Sequence, residues 1–218
     1  MDGEPGLRER KKRETRQRIS DVATVLFVTR GFDSVTVADI AAEADVSRVT
    51  VFNYFRRKED MFFDRHDEAR ALFTGAVRDR QPGESIPAAL RRVLLDLADR
   101  RHPLSGLRDG IEPFVRTVRD SPTLQAAARE NREALARDLA ESIAQDTGAE
   151  PADPLPTLVA SAVLAAYRTA YRLATEGVLA GESAAALWPR YRDLVNTAFD
   201  MLEHGVGDYG RSTVDAVT

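Results

Sequence analysis

Apolar positions recur with helical spacing along nearly the whole chain. Ile19, Val22, Ala23, Leu26 and Phe27 follow the i, i+3, i+4, i+7, i+8 pattern of one helix face. Gly31 stands where a left-handed residue ends such a helix, and Phe32 is placed to fold back on the last turn. The next stretch, VTVADIAAEADVSRVTVFNYFRRK at residues 35–58, reads as two short helices whose starts are each marked twice. Thr36 caps the first, Asp39 reaches back to the Thr36 amide, and Val35 and Ile40 staple the entry. Ser47 caps the second, with Val46 and Val51 as its staple, and only Ala44-Asp45-Val46 separates the two.

Farther on, Glu59 and Asp60 suit the start of a fourth helix, which carries Phe62, Ala69, Leu72, Phe73 and Ala76 and ends at Gln81-Pro82-Gly83. Ile86, Leu90, Val93, Leu94 and Leu97 mark a fifth, closed by His102-Pro103. Leu107, Ile111, Phe114, Val115 and Val118 mark a sixth, bent or broken by Gly110 and Pro113. Ser121-Pro122 opens a long seventh helix that runs to about Thr147. The eighth, Leu155 to Leu179, is apolar or small on more than one side, and the ninth carries Leu187, Tyr191, Leu194, Val195, Ala198, Phe199 and Leu202. The expected fold is all-α with about nine helices. It divides into a basic, flexible arm at 1–14, a helix-turn-helix unit at 15–60, a helical second domain at 61–204 and a polar tail at 205–218.

Charge sharpens this division. The net charge of −4 argues at first against a polyanionic partner. Yet residues 7–58 hold 12 Lys and Arg against 7 Asp and Glu, while residues 59–218 hold 19 against 26. Arg8, Arg10, Lys11, Lys12, Arg13, Arg16 and Arg18 crowd just ahead of the first apolar stripe. A basic module on an acidic body, built around two capped helices joined by a tight turn, points to double-stranded DNA. The basic run reads either as a solvated helix end or as phosphate contacts, with an arm entering a neighbouring minor groove.

Enzymatic chemistry finds little support. The only histidines are His66, His102 and His204, and none has metal-ligand spacing with another. Asp64, His66, Asp67 and Glu68 are too nearly consecutive to converge on one ion from a helix. No phosphate loop or nucleophile elbow is present, so no catalytic residue, metal or cofactor is expected. The absence of cysteine, of a spanning apolar run and of a signal-like segment leads to a cytoplasmic expectation with no membrane partner.

The stripe ending in Gly31-Phe32, the run Thr36 to Ala44, and Val46-Ser47-Arg48-Val49-Thr50-Val51-Phe52-Asn53-Tyr54-Phe55 followed by Lys58 and Glu59 resemble the DNA-binding domain of the TetR family of transcriptional regulators. The close match spans roughly residues 15–64. The resemblance implies a homodimeric repressor whose C-terminal domain binds a small effector, the DNA heads moving apart on binding. It places Arg48, Val49 and Thr50 near base edges, and Phe52, Tyr54 and Lys58 at phosphates. Thr36, Val37 and Ala38 would lie against the backbone or groove edge. Two positions depart from the family: Asp45 stands where glycine is usual, and Phe52 replaces the usual tyrosine. Phe52 is read evenly as core or as DNA contact, whereas Phe55 is read as core.

Polar groups on apolar faces are where an effector would be held. Asn131 lies on the face carrying Leu124, Ala128, Leu135 and Leu139, and Tyr167, Arg168 and Tyr171 interrupt the apolar eighth helix. Each also has a structural reading, as a buried cap, a core filler or a dimer ion pair, and Trp188 reads as interface or core. The eighth and ninth helices are expected to form a four-helix bundle across a two-fold axis. Two alternatives stay open: a helix-turn-helix protein without an effector, whether architectural or partner-regulated, and a helical dimerisation module that does not bind DNA.

Overall fold

Ten α-helices and one short 3-10 turn make up residues 6–206, the part of the chain described by the computed structural model. Residues 1–5 and 207–218, the ends of the expected arm and tail, lie outside the described residues. α1 spans Leu7–Arg30, α2 Val37–Glu43, α3 Arg48–Tyr54, α4 Lys58–Phe62 and α5 His66–Arg78. α6 is Ile86–Asp99, the 3-10 turn Pro103–Ser105, α7 Glu112–Asp120, α8 Pro122–Thr147, α9 Leu155–Leu179 and α10 Ala184–Val206.

These helices form two compact units, a head that runs to Asp64 and takes in Pro113–Ala128, and a body of Arg65–Glu112 and the residues from Arg129 on. Three points differ from the sequence expectation. Residues 7–14, expected as flexible arm, are the opening turns of α1. The expected fourth helix is two, α4 and α5, with Phe63, Asp64 and Arg65 between them. The break falls where Asp64 Oδ2 accepts a hydrogen bond from the buried Ser20 hydroxyl at 2.6 Å, a long-range tie that local apolar spacing does not announce. Finally, Pro113–Ala128, expected in the second domain, belongs to the head.

The reason for that last assignment is aromatic packing. The head's core gathers Ile19, Ala23, Leu26 and Phe27 of α1, Ile40 and Ala41 of α2, Val51 and Phe55, Met61 and Phe62, and also Leu124 of α8. Phe114 of α7 stacks on Phe62 with ring centroids 4.3 Å apart, and Phe62 meets Phe27 edge-on at 5.7 Å. Each fully buried phenylalanine contributes about 1.5–3 kcal/mol from water exclusion. Gly110, at φ 78°, lets the chain turn sharply into α7, so the interruption expected at Gly110-Pro113 is a break before a short helix and not a kink within a long one.

In the body, α6 buries Ile86, Leu90, Leu94 and Leu97, while α10 buries Leu187, Tyr191, Val195 and Phe199. α9 and α10 approach so closely that a Cβ on Gly177 would stand 2.4 Å from Leu187 Cδ2. Polar ties lock the helix ends: Ser85 pairs with Glu203, Arg91 with Asp200 at 2.6 Å, and the nearly buried Arg80 with Asp146 at 2.6 Å. No helix among the described residues is long and apolar enough to cross a membrane.

Candidate nucleic-acid interface and effector site

The two short helices of the head are held by the caps their sequence announces. Asp39 N–H donates to Thr36 Oγ1 at 3.2 Å, and Thr36 N–H donates to Asp39 Oδ2 at 2.8 Å, closing the capping box. The Thr36 hydroxyl also donates to that carboxylate at 2.6 Å; this bond first, then the backbone one, holds the Asp39 carboxyl below its ordinary range. At α3, Thr50 N–H donates to Ser47 Oγ at 3.0 Å, and the two hydroxyls meet at 2.8 Å.

Periodicity then decides what α3 presents. Val51 and Phe55 point inward and are buried. The opposite face carries Arg48, Val49, Phe52 and Asn53, all exposed, with Val49 at 69% and Phe52 at 56%. Of the open readings of Phe52, the core one is thus excluded, while Phe55 is core. Thr36 and Ala38 are exposed, Val37 and Thr50 are half-buried, and Tyr54 is half-buried against the head's core. The sequence reading passed over Asn53, although its i+4 relation to Val49 puts it on the outer face; an amide there matches the hydrogen-bonding edge of adenine.

The four effector candidates differ in exposure and surroundings. Tyr167 and Tyr171 are neighbours, with ring centroids 6.1 Å apart, and Phe73 packs 5.1 Å from Tyr167. Tyr167 donates its hydroxyl to the Leu104 carbonyl at 2.7 Å. Burial raises the pKa of the Tyr167 phenol strongly and pushes that of Tyr171 up to about 12, so both remain donors at neutral pH. Asn131 is half-buried, but Arg168 is exposed. Burial first, and then the charges of Arg168 and Arg129, lowers the pKa of the Arg132 guanidinium, which places like charges around it. The residue that the sequence reading missed is Tyr191, assigned there only to an apolar stripe. It is fully buried, its hydroxyl has no hydrogen-bond partner among the described residues, and burial raises its pKa. Trp188 stacks on it at 6.3 Å, with the Arg101 guanidinium 6.0 Å from the indole. Hydroxyl orphaning depends on packing partners, so no sequence signal marks it. No group of three His, Asp or Glu side chains among the described residues is arranged to hold a metal.

Residues 19–64 match the family model of bacterial regulatory proteins of the tetR family, and residues 84–207 match that of the MftR C-terminal domain. This chain belongs to the TetR family. Among curated TetR-type relatives, it is 30% identical to the HTH-type transcriptional regulator TcmR of Streptomyces glaucescens over 151 residues, 67% of this chain and 66% of that protein, just under two thirds. It is 27% identical to the putative mycofactocin biosynthesis transcriptional regulator MftR of Mycobacterium tuberculosis over 197 residues, 88% of this chain and 95% of that one. The fold is shared with GusR of Salmonella enterica at a TM-score of 0.51 and 19% identity, covering 88% of this chain and 94% of that one. A putative TetR-family regulator from Mesorhizobium loti gives 0.52 at 16% identity, covering 88% and 98%. The matching families and curated relatives are DNA-binding transcriptional regulators and not enzymes.

Two family-derived positions can be read from the geometry. Asp45, in place of the usual TetR glycine, adopts φ 51°, a left-handed conformation that aspartate tolerates, and the Val46 N–H still closes the turn on the Ala41 carbonyl at 3.0 Å. Lys58 has partners within the chain. Its ammonium donates to the carbonyls of Phe32 at 2.7 Å and Val35 at 2.9 Å and sits 4.1 Å from the Phe32 ring. Carbonyls left over beyond the end of α1, together with an aromatic face, hold this cation inside the head, where it fastens the α1–α2 loop to α4.

Proposed function

We propose that this TetR-family protein is a homodimeric repressor that reads a palindromic operator through α3 and releases it on binding a small molecule. The observation that carries this reading is the outer face of α3, where Arg48, Val49, Phe52 and Asn53 stand in solvent on a helix capped and anchored from behind. Arg48, in the first turn, is suited to bidentate pairing with guanine O6 and N7, and Val49 and Thr50 to the thymine methyl. Thr36, Val37 and Ala38 approach the backbone at the start of α2. Phe52 contributes apolar contact and no phosphate hydrogen bond; Tyr54 lines the edge of the contact.

Pairing of copies rests on the body. Leu155 and Leu158 of α9 and Met201 of α10 are exposed, at 42%, 57% and 72%. Leu158, Ser161, Ala165 and Thr169 form one exposed row of mostly small side chains, the kind that lets helices approach closely. The same body holds the effector. Tyr171 and the Tyr191 hydroxyl, which has no partner among the described residues, supply donors beside the ring of Tyr167, whose own proton goes to the Leu104 carbonyl; this aromatic surround suits a mainly apolar ligand carrying a carbonyl or similar acceptor, and Asn131 offers a further amide. Arg168, being exposed, serves at the rim.

The test is a titration of labelled duplexes, one selected by the wild-type protein from a random library and one of scrambled sequence. Arg48→Ala lowers affinity for the selected duplex by about 1–3 kcal/mol, about fivefold to 150-fold, and leaves the scrambled one nearly unchanged. Equal losses on both would rule out base reading by Arg48. For the effector, ligands carrying an acceptor on an apolar frame raise thermal stability, by about 2.7 kcal/mol at a hundred times the dissociation constant.

A further inference from the structure

The C-terminal end of α6 goes against a backbone preference. Arg101 N–H donates to the Ala98 carbonyl at 3.1 Å and His102 N–H to the Leu97 carbonyl at 2.9 Å, the two bonds of a Schellman ending. The left-handed position within that ending is usually glycine, but here it is Arg101, at φ 53°. Glycine would close the turn with less strain, so the residue is kept for its side chain.

What that side chain lacks is equally informative. Its neighbours in sequence are paired, Arg100 with Asp96 and His102 Nε2 with Glu68 at 3.1 Å. Arg101 Nη1 is buried and has no hydrogen-bond partner among the described residues. A guanidinium edge withdrawn from water without an acceptor is unfavourable, and an anion is the group that relieves it. Arg91 Nε is also without a partner there, but that guanidinium already holds Asp200 at 2.6 Å.

The Arg101 guanidinium lies 6.0 Å from the ring of Trp188, and the indole in turn stacks on Tyr191 with centroids 6.3 Å apart. The Tyr191 hydroxyl is buried and likewise unpartnered among the described residues, so two donors without acceptors border one indole. Tyr191 also joins this corner to the aromatic surround of Tyr167. Burial first, and then the nearby phenols of Tyr171 and Tyr191, raises the Tyr167 pKa. Arg101 and Trp188 are half-buried and Tyr191 is buried, so the corner runs from solvent inward.

We infer that Arg101, Trp188 and Tyr191 form the anion-holding end of the effector site, and that the effector is a lipophilic carboxylate. Arg101 supplies the charge, Tyr191 a hydroxyl donor and the indole an apolar wall. One guanidinium balances one negative charge; a phosphate dianion would leave a second charge uncompensated in an aromatic surround. The inference rests on the reading of the body as an effector site and narrows its acceptor to a charged one.

Trp188 is the single tryptophan of the chain, so its fluorescence reports on this corner. The full chain is titrated with phenylacetate, cyclohexanecarboxylate and decanoate, each against its own primary amide, with thermal midpoints read in parallel. At least one carboxylate shifts the Trp188 emission and binds about tenfold or more tightly than its amide. Arg101→Gly puts the usual residue in the left-handed slot, so the midpoint without ligand is held or raised while the preference for carboxylate disappears. Tyr191→Phe keeps the ring and removes the unpartnered hydroxyl, so stability is again held while carboxylate affinity falls severalfold. Carboxylates that bind the wild type no more tightly than their amides, or a preference that survives Arg101→Gly, would overturn the inference and leave the effector reading of the body standing. If no probe moves either the emission or the midpoint of the wild type, both readings fall together.

Discussion

Both units of this chain leave large apolar side chains in water, but in different company. In the head, Val49 and Phe52 stand on α3 beside Arg48, with Arg56 and Arg57 at the following turn, in a segment with an excess of positive charge. In the body, Leu158 and Met201 stand among small neutral residues such as Ser161, Ala165 and Thr197, in a segment with an excess of negative charge. An apolar side chain among cations meets a partner that is anionic with apolar edges, which describes a DNA groove. An apolar side chain on a row of small residues fits another helix of the same kind. Exposure alone is uninformative; the neighbours assign the partner.

The comparison can be broken most forcefully on the body side. Leu158→Glu with Met201→Glu would bury unpaired carboxylates in the proposed interface, a penalty of several kcal/mol per charge. Sedimentation should then report a monomer, with DNA affinity falling because one half-site cannot hold the head alone; a dimer that persists would place the pairing surface elsewhere. On the head side, Phe62→Ala removes the ring between Phe27 and Phe114 and should cost about 3–5 kcal/mol of stability, read by denaturant melts. The same scale of loss is not expected at exposed Phe52, and an equally large effect there would return it to the core.

Smaller changes sharpen the contrast. Gly177→Ala drives a methyl into Leu187 and should destabilise the body by about 1–3 kcal/mol, visible as a lowered thermal midpoint. Thr36→Ala removes a local cap and should cost about 1 kcal/mol, seen as faster amide exchange in α2. That cap also responds to acid. The Asp39 pKa is depressed in the folded state, so its contribution is present above the unfolded carboxylate value and is lost as pH falls through the lower folded value. Asp39→Asn should flatten that acid limb of α2 protection.

How much of this was legible depended on whether a signal was local. Thr36, Asp39 and Ser47 sit within three residues of the groups they bind, so α2, α3 and the turn between them could be placed from spacing alone. The long seventh, eighth and ninth helices of the sequence reading likewise correspond to α8, α9 and α10, because each carries many turns of consistent periodicity. The gap between α4 and α5 was not legible: the residue bonded to Asp64 within it is Ser20, more than forty residues away. The partners of Lys58 were hidden for a similar reason, since the carbonyls it binds belong to residues 32 and 35. Phe114 looked like any apolar position of a second-domain helix until the ring of Phe62 claimed it for the head.

The sequence by itself determined the helical class, the two capped short helices of the head, the left-handed turn at Asp45 and the opposed charges of the two halves. These follow from hydrogen bonds and periodicities that close within a turn or two, or from simple counts. Only the tertiary structure decided which face of α3 is bare, that Pro113–Ala128 packs with the head, that Lys58 is tied to a loop, that the Tyr191 hydroxyl has no partner among the described residues, and that the basic run continues α1 as one helix. In each of these, the deciding contact or its absence joins groups far apart in the chain, and only folding brings them within reach.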